Sequence, residues 1–70
     1  MFWWFEKGGQ YTRCEVLQVT GGGYELRVVE PSGTEHVEHF DSEVALAARQ
    51  HAVEAELRTG GWSGPHGWVL

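Results

Sequence analysis

The sequence has too few cysteines for an internal disulfide, since Cys14 is the only one among its 70 residues. A chain of this length buries only about 60% of the surface that its unfolded form exposes. Domains this small commonly depend on disulfides, a metal or a partner chain. Small secreted domains use cysteines in pairs, so the unpaired cysteine favours a reducing compartment. We therefore expect one marginal domain located in the cytoplasm.

The sequence also lacks a long apolar run. No stretch approaches the ~20 apolar residues of a membrane-spanning helix. Met1 is followed directly by an aromatic segment, without the basic start and the small-residue cleavage site of a signal peptide. We therefore expect no membrane partner and no secretion signal.

Basic residues are scarce: five Lys and Arg stand against ten Asp and Glu, which gives a net charge of −5. Nonspecific nucleic-acid binding depends on Lys and Arg that neutralise phosphates, so nucleic acid is not the expected partner. Five acidic residues lie between Glu30 and Glu43, with no Lys or Arg among them. Such a run is typical of a solvated surface, and the alternative is an acidic face for a basic protein.

Glycine and proline divide the first forty residues into four segments in which apolar and polar side chains alternate. Alternation between such turn residues predicts antiparallel β-hairpins. We place the strands at residues 2–7, 10–20, 23–30 and about 34–39. The fold class is therefore α+β, a four-stranded antiparallel β-meander followed by one helix packed on one face of the sheet (ββββα).

Two-residue type I′ turns at the first two glycine clusters would fix the register of the first three strands. The first turn places Trp3 opposite Cys14, and the second places Leu17 opposite Leu26. One face, interpreted as the core, then carries Phe2, Trp4, Tyr11, Leu17, Val19, Tyr24, Leu26 and Val28. The other face is also partly apolar and carries Trp3, Phe5, Cys14, Val16 and Val29.

The fourth strand has two possible registers. A two-residue turn at residues 32–33 places Val37 beside Val28 on the core face. A slip of one residue places His36 and Phe40 there instead. We prefer the first register because it buries Val37.

Strong helix formers fill residues 44–59, with Asp41 as the expected N-cap, Glu43 as a negative charge near the helix start and Gly60 as the stop. The large apolar residues Leu46, Val53 and Leu57 share one side, which we expect to face the sheet. A second side, here called the alanine stripe, carries Val44, Ala47, Ala48, Ala52 and Ala55, together with His51.

The last ten residues, 61–70, form an aromatic tail that follows the ββββα domain of residues 1–60. The tail contains Trp62 and Trp68 and ends on Val-Leu. Flexible tails are poor in aromatic residues, so we expect this one to be docked on the second face of the sheet, on the alanine stripe or on another chain.

No group of residues has the pattern of a catalytic, cofactor or metal site. Alternation along a strand separates His36 and Glu38 from His39, so these residues do not converge on one ion. Cys14 is expected to be a small buried side chain, and His51 to lie at an interface. We therefore predict a protein that is not an enzyme and has no cofactor.

The leading hypothesis is a small non-enzymatic protein-interaction module, a homodimer or a partner of another protein. The predicted interaction surface consists of Trp3, Phe5, Cys14, Val16, Val29, Ala48, Ala52, Ala55, Trp62 and Trp68. One alternative is a monomer whose acidic surface binds a basic protein. The other is a protein that stacks single-stranded nucleic acid on exposed aromatic side chains.

Overall fold

The computed structural model describes the backbone of residues 1–69 and the side chains of residues 1–67. The elements are β1 (Phe2–Lys7), β2 (Gln10–Gln18), β3 (Tyr24–Val29), β4 (Glu35–Phe40), α1 (Glu43–Thr59) and β5 (Ser63–Val69). The strands form one antiparallel sheet in the order β4-β3-β2-β1-β5. The predicted α+β fold, a meander with one helix packed on the sheet, is confirmed, and a fifth strand is added to it.

The first hairpin has the predicted register. Gly8 and Gly9 have positive φ angles of 57° and 82°, as a two-residue type I′ turn requires. Trp3 therefore lies opposite Cys14 and Trp4 opposite Arg13.

The second hairpin has a longer turn than predicted. The N–H of Val19 donates to the carbonyl of Gly23 at 3.0 Å, so three residues lie in the turn where the sequence analysis placed two. Cys14 consequently pairs with Val28, and Leu17 with Glu25 instead of Leu26. The predicted register of this hairpin is wrong by one residue.

Because of this shift, the face of the sheet that was predicted to be exposed forms the core, and the predicted core face is the exposed one. Because side chains alternate along a strand, a slip of one residue moves all of β3 to the opposite side. Six residues exposed by 9% or less form the core, namely Trp3, Phe5, Cys14, Leu26, Leu46 and Val53. Phe2, Trp4, Tyr11 and Leu17 were assigned to the core and lie on the opposite face, which is a correction of the sequence analysis.

Strand β4 has the register that was not preferred. His36 lies opposite Val28, so His36 and Phe40 are on the core side, whereas Val37 lies opposite Arg27 and is 50% exposed. The N–H of Glu30 donates to the carbonyl of Thr34 at 2.9 Å, which again gives a three-residue turn. Burial of Val37 was therefore the wrong criterion for choosing the register of β4.

The N-cap of the helix lies one residue later than predicted. Ser42 is the N-cap, and its hydroxyl accepts a hydrogen bond from the N–H of Ala45 at 3.2 Å. The carboxylate of Asp41, the expected cap, lies 3.2 Å from His39 instead. Gly60 follows the last helical residue, as predicted.

The helix packs its large side chains on the sheet. Leu46 and Val53 belong to the core, and Leu57 packs against it, as the sequence predicted. The residues of the alanine stripe are exposed, and Val44 reaches 81% exposure. The helix therefore has one buried side and one solvated side.

Residues 61–70, assigned to the tail, contain strand β5. Its pairing with β1 is irregular, with Phe2 opposite Val69, Trp4 opposite His66, and register shifts between the paired positions. Next to this strand, Trp62 packs against the core. Within the described residues, no helix is long and apolar enough to cross a membrane.

Candidate functional site

The helix covers one side of the sheet, and the described part of the chain places no further element on the other. We call this second side the open face. Its side chains follow from the strand registers, and they are Phe2, Trp4, Glu6, Tyr11, Arg13, Glu15, Leu17, Glu25, Arg27, Val29, Glu35, Val37 and His39. A sheet with one solvated face normally carries mainly polar side chains there, so the apolar members of this set are unusual.

An aromatic cluster occupies one end of the open face. The rings of Phe2 and Trp4 lie 6.0 Å apart at 44°, and those of Trp4 and His66 lie 6.3 Å apart at 35°. Tyr11 is 54% exposed. A shallow cavity of about 490 Å³ is lined by Phe2, Trp4 and Tyr11, together with Arg13. The cluster thus presents flat apolar rings next to a cation.

Charged side chains occupy the middle of the open face. Arg27 lies 3.6 Å from Glu15 and 3.4 Å from Glu35. The second contact is an ion pair without hydrogen-bond geometry, because Nε of Arg27 has no hydrogen-bond partner. Exposed pairs of this kind contribute about 0–1 kcal/mol. Within the described residues, Arg13 and Glu25 have no ion-pair partner of their own, so each is available to another molecule.

The predicted interaction surface is divided between the core and the surface. Three of its members are buried in the monomer, with exposures of 5% for Trp3, 1% for Phe5 and 0% for Cys14. Val16 packs against the same core, whereas Val29 lies on the open face. In the described monomer, the three buried side chains do not form an accessible surface.

The remaining members lie on the helix and near β5. Ala48, Ala52 and Ala55 are exposed on the solvated side of α1. Trp62 is half-buried against the core. Trp68 belongs to β5, but its side chain lies outside the described residues. The structure therefore does not bring the alanine stripe and the open face together.

Cys14 is a poor nucleophile in this environment. Its side chain is fully buried, and burial raises the pKa of the thiol to about 11. The thiolate is the reactive form of cysteine, so at neutral pH the group is almost entirely protonated. Cys14 fills space between Trp3 and Val28, its neighbours across the sheet.

One pair of side chains has the form of a nucleophile and a base. The hydroxyl of Ser63 lies 3.3 Å from Nε2 of His66. The same hydroxyl donates to the backbone carbonyl of Glu6 at 3.2 Å. This bond links the start of β5 to β1. A catalytic triad needs a third group to orient the histidine, and among the described residues no carboxylate contacts His66. The pair is therefore interpreted as a structural contact between two strands.

The histidines near β4 bind carboxylates individually. Nε2 of His36 lies 2.7 Å from Glu30, and Nε2 of His39 lies 3.2 Å from Asp41, on opposite sides of the sheet. No group of three or more His, Cys, Asp or Glu side chains converges on a metal position in the described part of the chain.

The charge pattern of the first hairpin already indicates which face is exposed, but the assumption of a two-residue turn in the second hairpin led to the opposite assignment. The first hairpin alone, whose register was predicted correctly, places Glu6, Arg13 and Glu15 on the side of Trp4. On the side of Trp3, Lys7 at the end of β1 is the one charged side chain of this hairpin, and β2 carries none. Charged side chains are rarely buried without a partner, so this asymmetry points to the aromatic cluster as the exposed surface.

Comparison of the chain with protein-family models, with curated proteins and with solved structures finds no significant match.

Proposed function

We propose that this chain is a non-enzymatic protein-interaction module that forms a homodimer through its open face. The observation that carries the proposal is the set of large apolar side chains on that face. Tyr11 is 54% exposed, Val37 is 50% exposed and Leu17 is 39% exposed, and Phe2 and Trp4 lie beside Tyr11. Exposed apolar patches of this kind are typical of surfaces that bind a partner.

The positions of Arg13 and Glu25 on the open face are compatible with a second copy as the partner. Arg13 on β2 and Glu25 on β3 lie on either side of the central Arg27–Glu15 pair. A two-fold axis parallel to the sheet, perpendicular to the strands and just outside the face at this pair brings the Arg13 end of one copy over the Glu25 end of the other. The two Arg27–Glu15 pairs would then face each other as neutral units. A two-fold interface uses the same patch on both copies, so two Arg13–Glu25 ion pairs would form.

The size of the face is also suitable. The molecule measures 39 by 21 by 21 Å, so its largest side offers approximately the ~800 Å² per partner that a standard interface buries. A smaller contact would leave part of the aromatic cluster in water. A homodimer would therefore use nearly the whole open face.

The total exposed area does not by itself require a partner. It is 4491 Å², close to the ~4400 Å² expected for a folded monomer of this mass. The proposal therefore depends on which side chains are exposed and how they are arranged.

The other candidate partners are less compatible with the charges on this face. Glu6, Glu15, Glu25 and Glu35 outnumber Arg13 and Arg27 there, which disfavours the phosphates of a nucleic acid. A basic protein would be attracted to the carboxylates but would leave Arg13 without an acidic partner.

A pair of matched variants tests the proposal. Tyr11→Lys places a charge in the aromatic cluster, and Val44→Lys places the same charge on the exposed side of the helix. Sedimentation equilibrium should show that Tyr11→Lys weakens dimerisation at least tenfold, whereas Val44→Lys leaves it unchanged. A dimer that dissociates only with Val44→Lys would assign the interface to the alanine stripe instead.

A further inference from the structure

A cleft on the helix side of the sheet has the composition of a small-molecule site. The helix crosses the sheet diagonally, because Tyr24 bonds to Glu43 at the first turn and Lys7 bonds to the carbonyl of Gly60 after the last. This crossing leaves one corner of the core face uncovered, near the turn at Pro31. The corner contains a cleft of about 410 Å³, within the ~300–1,000 Å³ range of small-molecule sites.

The floor of the cleft is apolar except for one hydroxyl group. Val28, Val53, Leu57 and Trp62 supply the apolar surface. Thr12 also lines the cleft, and it is only 3% exposed. Its hydroxyl has no hydrogen-bond partner among the residues that the structure describes. This oxygen is unpaired but is not enclosed by protein atoms, so it is open to the cleft and can form a hydrogen bond with an occupant.

The rim of the cleft is predominantly negative. Glu30, Glu38 and Glu56 stand against a single permanent cation, Arg49. Nε of Arg49 donates to Glu38 at 2.9 Å, and its Nη1 lies 3.7 Å from Glu56. A carboxylate has about four lone-pair sites, so each of the three can accept a further donor. The rim therefore favours a cationic ligand over an anionic one.

Thr12 and Glu30 line the same cleft. The last pair of the β2–β3 ladder is Arg13 and Val29, so Thr12 and Glu30 are the residues that follow this pair on the two chains. Glu30 is also 2.7 Å from His36, which holds its carboxylate at the cleft. The Thr12 hydroxyl and the Glu30 carboxylate can each accept a hydrogen bond from a donor group in the cleft.

We propose that this cleft binds a small organic ammonium ion, with its nitrogen held by Thr12 and Glu30 and its apolar body on Val28, Leu57 and Trp62. The nitrogen donates to the hydroxyl of Thr12 and to the carboxylate of Glu30, and the indole ring of Trp62 packs against the apolar body of the ligand. The open face lies on the other side of the sheet, so this site does not depend on the homodimer.

Titration of the full chain with 2-phenylethylamine tests the site, followed by amide and indole NMR signals. The shifts should be largest at Thr12, Glu30 and Trp62, and saturation should be reached at millimolar concentration or below. The matched anion, 3-phenylpropionate, should bind at least tenfold more weakly. Absence of shifts, shifts elsewhere on the molecule, or equal binding of the anion would overturn the proposal.

Two variants and one control assign the polar contacts. Thr12→Val keeps the shape and removes the hydroxyl, and Glu30→Gln keeps the shape and removes the charge at the surface. Each should weaken the amine about two- to tenfold, the usual effect of one hydrogen bond. Glu25→Gln makes the same charge change on the open face and should have no effect. If Thr12→Val does not fold, Glu30→Gln against Glu25→Gln still decides the question.

A basic peptide is the other occupant that the rim could attract. Trilysine carries the charge without an apolar body, so it should bind more weakly than 2-phenylethylamine. Binding of trilysine at the same residues, without binding of 2-phenylethylamine, would show that the cleft recognises charge alone and would contradict the small-molecule assignment.

Discussion

The indole ring of Trp4 lies directly on the backbone of Gly67, so closely that a Cβ atom on Gly67 would overlap the ring atoms Cζ3 and Cη2. This contact joins the aromatic cluster of the open face to β5, the strand at the edge of the sheet. Glycine is required at this position for a second reason as well, because its φ angle of 69° disfavours any residue with a Cβ.

Gly67→Ala should destabilise the protein by more than the backbone conformation alone explains. The positive φ angle costs about 1–2 kcal/mol for a residue with a Cβ, and displacement of Trp4 adds to this. Gly8→Ala is the matched control, with a φ of 57° and nothing within 4 Å of the added carbon. Urea denaturation should give the larger loss for Gly67→Ala. Equal losses would show that the ring moves away without cost.

Stability should fall as the pH rises from about 9 to 11 because of Cys14. Burial raises the pKa of its thiol from 9.0 to about 11. Below pH 9 the thiol is protonated in both the folded and the unfolded chain, and its contribution to stability is complete. Between the two pKa values only the unfolded chain loses the proton, so the free energy of unfolding decreases by up to about 1.4 kcal/mol per pH unit.

Cys14→Ala supplies the control for this pH dependence. The variant should be less stable at pH 7, because it leaves a cavity in the core, but it should lack this part of the decline above pH 9. The hydrogen bond to Glu43 raises the pKa of Tyr24, and this affects both proteins alike. Parallel stability curves for the two proteins would contradict the assignment to Cys14.

Removal of residues 61–70 should destabilise the domain strongly. The deletion takes away β5, which leaves the backbone N–H and C=O groups of β1 that face β5 unpaired. It also removes Trp62 from the core. A chain of this size has a total stability of only about 4–10 kcal/mol. The thermal midpoint should therefore fall by more than 10 °C, or the chain should aggregate.

The point substitution Trp62→Ala separates the contribution of this side chain to stability from the contribution of strand β5. Complete burial of a tryptophan is worth about 3–5 kcal/mol, and Trp62 is half-buried, so we expect a loss of about 2–3 kcal/mol. Val44→Ala, at an 81% exposed position, should change stability by less than about 0.5 kcal/mol. A loss for Trp62→Ala no larger than for the control would mean that the ring adds nothing to the core.

Local patterns in the sequence were sufficient for the elements of the fold. The turn at Gly8 and Gly9, the alternation in β1 and β2, and the run of helix formers ending before Gly60 each predict one element without reference to the rest of the chain. Strand β5 was not predicted, because Gly64, Pro65 and Gly67 interrupt the β pattern. Its place beside β1 depends on contacts with Trp4 and Phe5 that only the folded chain provides.

The register of the second hairpin could not be read from the turn alone. Gly21, Gly22 and Gly23 all have positive φ angles, and a run of three glycines fits a two-residue or a three-residue turn equally well. The choice depends on packing, because the three-residue turn brings Leu26 and Val28 to the side of the core. The predicted interaction surface therefore included Trp3, Phe5 and Cys14, which are buried, and the aromatic cluster around Trp4 was missed.

The molecular mass of the unaltered chain in solution tests the central claim most directly. Light scattering over micromolar to millimolar concentration should approach twice the chain mass of 7.9 kDa. A mass that remains at 7.9 kDa over the whole range would contradict a homodimer formed through the open face.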